Sequence, residues 1–256
     1  MGIRLLPYSF FVFRRCCFWL NEERILYIIL SYFTKERFNV KKYKWILFDL
    51  DGTLTESHVG IVNATLYALK HYGIEETNPE KLLKFVGPPL EESFAEHYGF
   101  SPEKAWEAVG VYRQYYSQKG KYENKPYEGI EEMLIKLKEY GCLLAVATSK
   151  PQEMAVDILQ KYNLAQYFEV ICGAAMDGSR NKKSDIMSDA LSFLGAEKSR
   201  VLMVGDRKFD VGASKELGVD SVGVLYGYGD EQELKTFGAT YLASHPLDVC
   251  KIVNEN

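Results

Sequence analysis

Apolar positions along the chain follow two rhythms. Short continuous apolar runs at 45–48, 142–147, 170–172, 201–204 and 220–225 suit strands covered on both faces of a parallel sheet. Between them, the spacing over 130–140, 151–162, 184–194 and 211–217 has the period of amphipathic helices. A terminal strand near 240–242 and a helix after Pro246 close the chain. Strands alternating with helices predict an α/β architecture, a doubly wound and mostly parallel sheet.

One long stretch departs from this alternation. Residues 57–125 keep the helical period almost throughout, with Val59, Val62, Leu66 and Leu69 on one face, then Leu82, Leu83 and Phe85, then Phe94 and Tyr98, then Ala105, Ala108, Val109 and Tyr112. Breaks fall at Gly73, at Gly87-Pro88-Pro89, at Gly99 and at Gly120, and Ser101-Pro102 reads as a helix start. This predicts a helical-bundle cap domain over 57–125, inserted into a core domain built from 40–56 and 126–256.

The front of the chain does not match the remainder. Residues 5–13, 16–20 and 25–33 are apolar and aromatic, but Arg14, Arg15, Glu22, Glu23 and Arg24 interrupt them. None of these runs reaches the roughly 20 residues that a bilayer-spanning helix needs. The charges, and the lack of a small-residue cleavage site, also argue against a signal peptide. An interfacial anchor and an extra hairpin packed on the domain are alternatives. The preferred reading treats 1–39 as a start-site artefact outside the natural protein. Val40 precedes the basic lead-in Lys41-Lys42-Tyr43-Lys44 and can be an internal GTG start, while Lys35-Glu36-Arg37 can be encoded by a purine-rich ribosome-binding tract. Any other codon at Val40 rules that reading out.

Composition adds bounds. With 256 residues and 47% hydrophobic content the chain can build a good core. A net charge of −4 supplies no basic field for nucleic acid, and no membrane association is expected for residues 40–256. Five cysteines, two of them (Cys142 and Cys172) inside apolar runs and none in a Cys-x-x-Cys pair, suit buried thiols in a reducing, cytoplasmic setting.

The candidate chemistry sits at strand ends. The run 45–48 stops abruptly in Asp49-Leu50-Asp51-Gly52-Thr53, at the carboxyl edge where open α/β sheets bind ligands. Two adjacent acids with no basic neighbour repel each other and ask for a cation or a shared proton. Thr148-Ser149-Lys150 follows a second strand, Gly205-Asp206 with Asp210 follows another, and Lys182-Lys183 opens a helix. Thr148 or Asp206 alone could simply cap a helix, and a lysine at a helix start is often just solvated. Taken together those explanations weaken, because parallel strand ends bring the clusters to one edge.

These residues resemble the four motifs of the haloacid dehalogenase superfamily of phosphotransferases, over residues 44 to about 245. The insertion resembles the cap of its phosphoglycolate phosphatase-like group. Gly87-Pro88-Pro89-Leu90-Glu91 and Gly205-Asp206-Arg207-Lys208 resemble a branch named phosphoglycolate phosphatase or 5'-nucleotidase. The resemblance implies Asp49 as nucleophile and Asp51 as general acid and base. It implies Mg²⁺ held by the Asp49 carboxylate, the Asp51 backbone carbonyl and Asp206, with Asp210 supporting the site. Thr148 and Lys183 would hold the phosphoryl group, Lys183 being preferred over Lys182 because Ser184-Asp185 after it resembles the helix start that follows the functional lysine in related proteins, which leaves Lys182 as a solvated surface charge. Leu50, Gly52, Thr53, Ser149 and Lys150, with Gly87 and Arg113 from the cap, are the substrate-binding candidates. Arg113 or Lys119 could meet a substrate carboxylate or phosphate or could equally be plain surface residues, and Tyr112, Tyr115, Tyr116, Tyr122 and Tyr127 could stack on a base or, for the first three, form bundle core. The expectation is a monomeric or homodimeric Mg²⁺-dependent phosphomonoester hydrolase acting on a small phosphorylated metabolite, phosphoglycolate or a nucleoside monophosphate. A phosphomutase shares the same acids and cap, and a non-catalytic binding or regulatory protein is the alternative from another class.

Overall fold

A computed structural model describes residues 42–256, so the readings made for residues 1–39 lie outside the described residues. Among the described residues eight strands run in chain order: β1 (Trp45–Phe48), β2 (Thr55–Glu56), β3 (Lys125–Pro126), β4 (Leu143–Pro151), β5 (Val170–Ala174), β6 (Val201–Gly205), β7 (Asp220–Val224) and β8 (Tyr241–Ala243). Six of them form one sheet in the order β5-β4-β1-β6-β7-β8, all neighbours parallel. From β1 the chain first builds outward through β4 and β5, then returns to β1's other side with β6. The strand order therefore reverses beside β1, and the carboxyl end of such a switch point opens a crevice.

Alternation along β1 explains why it sits at the centre. Ile46 and Phe48 join one apolar cluster with Met133, Leu134, Ile158 and Val249, while Trp45 and Leu47 join the opposite one with Ile186, Met187, Met203 and Ala213. Both faces of the strand are buried, so any slip in register would misplace an entire face.

Helices α1 (His58–His71), α2 (Pro79–Leu83), α3 (Leu90–Tyr98) and α4 (Pro102–Gln118) lie between β2 and β3. Local signals set their ends. The Asn78 side chain accepts from the Glu80 and Lys81 amides ahead of α2, Ser101 accepts from the Lys104 amide ahead of α4, and α3 stops at Gly99 in a left-handed conformation. These helices have their own apolar cluster around Phe85, Phe94, Phe100 and Val109, completed by Met154 from the core. Tyr112 and Tyr116 are buried in it with stacked rings 5.3 Å apart. Strands β2 and β3 pair antiparallel, Thr55 opposite Pro126, where the chain leaves for the cap and comes back.

Helices α5 (Ile130–Glu139) and α6 (Gln152–Lys161) pack on one face of the large sheet, and α7 (Lys183–Leu194) and α8 (Lys208–Leu217) on the other. α9 (Glu231–Phe237) and α10 (Pro246–Glu255) complete the chain. Three departures from the apolar pattern have physical causes. Strand β4 runs on to Pro151, with a register shift between Thr148 and Pro151. Helix α8 starts at Lys208 rather than Val211, because the Asp210 carboxylate accepts the Arg207 amide at 3.1 Å and closes the first turn. Helix α9 buries only Leu234, so it lacks a periodic apolar signature. Its start is made by Asp230 accepting the Glu233 amide.

Candidate active site

Asp49 leaves β1 at the switch point. Its Oδ1 accepts the Leu50 amide at 2.7 Å and lies 2.9 Å from the Lys183 ammonium. Lys183, the first residue of α7, also reaches Asp210 Oδ1 at 2.7 Å from α8. Asp206, at the end of β6, accepts the Thr53 hydroxyl at 3.3 Å on Oδ1 and the Tyr228 amide at 2.8 Å on Oδ2. One carboxylate oxygen each from Asp49, Asp206 and Asp210 falls within 4.8 Å of the others. All three acids are buried. Three carboxylates against one ammonium leave an excess of negative charge out of water, which a divalent cation would offset.

Burial, followed by the charges of Asp210 and Asp49, pushes the Asp206 carboxyl well above the ordinary carboxylate range. Asp49 is also raised, by burial first, with Lys183 pulling the other way. Burial disfavours the Lys183 ammonium, but Asp210 and Asp49 outweigh it and the net shift is upward. For the acids, these directions set how stability depends on pH. A folded-state carboxyl raised above its unfolded value favours the fold while protonated, and that contribution is lost as pH rises from about 4 through the raised value. Without divalent cation, thermal stability should therefore fall as pH rises above the ordinary carboxylate range. A divalent cation held by these oxygens would raise Tm more at neutral pH than at acid pH, because it would compete with protons for them. Calorimetry across pH with and without Mg²⁺ checks this, and an Mg²⁺ increment independent of pH contradicts it.

Asp51 points elsewhere. Its Oδ2 lies 2.6 Å from the Lys150 ammonium, both side chains buried, while Oδ1 has no hydrogen-bond partner among the described residues. Lys150 sits 4.8 Å over the Tyr116 ring from the cap, and its amide donates to the Thr148 hydroxyl at 3.2 Å. A cavity of about 90 Å³ lies here between cap and core. Asp49, Asp51, Thr148, Ser149 and Lys150 line its floor, and Gly87, Trp106, Tyr112, Arg113 and Tyr116 its cap side.

The remaining candidates fall into two groups. Gly87 and Arg113 face the cavity, and the Arg113 guanidinium donates to the Met176 carbonyl at 2.7 Å. Leu50, Gly52 and Thr53 are not among its lining residues. The Leu50 side chain is in the apolar core, and only its amide serves Asp49. Gly52 has φ +79, and a Cβ there would stand 2.1 Å from Asp206 Oδ2, so this turn requires glycine. Of the adjacent lysines, Lys183 enters the acid cluster, whereas Lys182 is exposed on Glu216 at 2.6 Å. Sequence reasoning quoted Arg207 only as part of a motif, without a role, and missed Tyr228. Arg207 donates to Glu233 and to the Val86 carbonyl of the cap, both at 2.9 Å. The overlooked signal for Tyr228 is Tyr226-Gly227-Tyr228-Gly229, a glycine-rich turn just past a strand's carboxyl end.

The model of the haloacid dehalogenase-like hydrolases matches residues 46–224. The chain belongs to this family. A 5'-nucleotidase from Pseudomonas aeruginosa is 40% identical over 200 residues, covering 78% of this chain and 90% of that one. A phosphoglycolate phosphatase from Aquifex aeolicus is 32% identical, covering 82% and 97%. A tyrosine-protein kinase, PtkA, from Mycobacterium tuberculosis is 42% identical over 184 residues, covering 72% of this chain and 62% of that one. Among solved structures, a protein described as a predicted phosphatase from Clostridium acetobutylicum superposes with TM-score 0.81 at 42% identity, covering 84% of this chain and 99% of that one. The chain is a phosphatase of the haloacid dehalogenase type, and its large parallel sheet is the sheet of that fold.

Proposed function

We propose that this phosphatase hydrolyses small phosphomonoesters with Mg²⁺ through a phosphorylated Asp49. The observation that carries the reading is the split of the two strand-end acids. Asp49 joins Lys183 and the acid cluster, Asp51 pairs with Lys150, and both face one cavity. The donor set fits Mg²⁺, a hard cation that prefers carboxylate oxygens. Asp49 and Asp206 would hold it, with the Asp51 backbone carbonyl and with Asp210 in support. When bound, it supplies charge to the phosphoryl oxygens and lowers the cost of bringing an anion to a carboxylate.

The chain's own groups would then act in sequence. The Asp49 carboxylate attacks phosphorus in line, and the P–O bond to the leaving alcohol breaks as Asp51, which must enter this step protonated, gives that oxygen its proton. Asp51 next takes a proton from the water that attacks phosphorus, which frees Asp49 and releases inorganic phosphate. Thr148 donates its hydroxyl proton to a phosphoryl oxygen, and Lys183 offsets developing charge. Lys150 holds the Asp51 carboxylate in place at the cavity floor. The relatives' names support phosphoglycolate or a nucleoside monophosphate as substrate. The location that fits this chemistry is the cytoplasm.

Hydrolysis of p-nitrophenyl phosphate with and without Mg²⁺ tests the reading: turnover should require the metal, and equal rates in its absence would overturn it. Comparison of kcat/KM for phosphoglycolate, nucleoside monophosphates and sugar phosphates then ranks substrates. Release of inorganic phosphate, rather than an isomerised sugar phosphate, separates hydrolase from mutase.

A further inference from the structure

Helix α1 begins without help from its own N-cap. Ser57 holds that position, but its side chain makes no capping hydrogen bond. The first amides of a helix have no acceptor within it and must find one elsewhere. Here the acceptor is Tyr228. The Ser57 and His58 amides both donate to its hydroxyl oxygen, at 2.8 and 2.9 Å, and His58 Nδ1 lies 3.4 Å from the same atom. Residues 57 and 58 are where the chain leaves the core for the cap.

The other end of the same residue is at the acid cluster. The Tyr228 amide donates to Asp206 Oδ2 at 2.8 Å. The turn that carries it is pressed onto Asp206, so that a Cβ at Gly227 would come within 2.3 Å of the Asp206 Cβ. Its ring passes over Gly52, where a Cβ would lie 2.7 Å from Tyr228 Cδ2. One residue thus touches a candidate metal ligand with its backbone and the root of the cap with its side chain.

We propose that Tyr228 is a positioning residue that couples a divalent cation at Asp206 to the seating of α1, the cap's entry helix. The inference rests on the Mg²⁺ reading given above. A cation that fixes Asp206 fixes the Tyr228 amide, and through a rigid ring it fixes the oxygen that α1 uses as its cap. Coupling of this kind is reciprocal, so seating the cap must favour the cation to the same degree. Arg207, next to Asp206, ties the same corner to the Val86 carbonyl of the cap at 2.9 Å.

Tyr228→Phe keeps the ring and the backbone amide and removes the hydroxyl, and with it the acceptor of the Ser57 and His58 amides and the contact with His58 Nδ1. Hydrogen exchange of the full chain, with Mg²⁺ alone as probe, should show wild-type protection rising in two places: peptides covering 205–211 and peptides covering 55–66. In Tyr228→Phe the response at 205–211 should persist with Mg²⁺ affinity about fivefold weaker, the size expected for loss of a helix cap. The response at 55–66 should vanish. Tyr226→Phe is the control, because the Tyr226 hydroxyl donates to the Thr53 carbonyl at 3.2 Å; it should leave the 55–66 response intact. An unchanged Mg²⁺ response at 55–66 in Tyr228→Phe overturns the coupling. So does a wild-type chain that responds at 205–211 only. No response in either region overturns the Mg²⁺ reading and the coupling with it.

Discussion

Asp49→Asn should abolish turnover, with a loss of roughly 10⁴-fold or more, the scale seen when a covalent nucleophile is removed. Asparagine matches aspartate in shape and can still accept the Leu50 amide that Oδ1 accepts at 2.7 Å. Its amide oxygen has no negative charge with which to attack phosphorus. The variant should fold normally, since the buried acid it replaces is held up in pKa chiefly by burial, and a neutral group removes that cost. Steady-state assay with p-nitrophenyl phosphate, and mass spectrometry of acid-quenched enzyme for an added phosphoryl group, check the two parts. Turnover within about tenfold of wild type would sink Asp49 as nucleophile.

Asp51→Asn should lower turnover by about 10²- to 10⁴-fold, the contribution expected of a general acid and base. Its signature differs from that of Asp49→Asn. Esters with a poor alcohol leaving group should suffer more than p-nitrophenyl phosphate, which needs little protonation to leave. The phosphorylated enzyme should also accumulate, because the water that hydrolyses it loses its base. A cost in stability of about 3 kcal/mol should accompany the change, since the buried Lys150 ammonium, 2.6 Å from Asp51, loses its counter-charge. Quench-flow capture of the phosphoenzyme with both ester types is the measurement. A uniform loss across esters with no accumulation would assign Asp51 a purely structural role.

Much of this site could be read in the chain because its signals are short in range. An apolar run ending in Asp49-Leu50-Asp51-Gly52-Thr53 marks a strand end whatever the rest of the protein does, and strands alternating with helices place several such ends on one edge. The choice of Lys183 over Lys182 came from the resemblance, through the helix start that follows it; the structure places Lys183 among the acids and Lys182 on Glu216. The bundle between Ser57 and Lys125 was legible for the same reason of period. Other features were not. Leu50 and Thr53 sit in the same short motif as Asp49, but nothing in their order says that one turns into the apolar core and the other under Asp206. Helix α9 was hidden because one buried residue makes no pattern.

The sequence alone determined the sheet class, the acids at its edge and the inserted helices, because these depend on hydrophobic period and on capping residues a few positions apart. Tertiary structure alone decided which groups meet. Lys150 pairs with Asp51 across 99 residues, and Tyr228 caps α1 across 171. Such partners are selected by strand order and by the close approach that Gly52 and Gly227 permit, and each contact is made by a residue type that is ordinary in its own stretch of chain. The two acids two positions apart were visible from the start; that one belongs to a cluster of acids around Lys183 and the other pairs with Lys150 is a property of the fold.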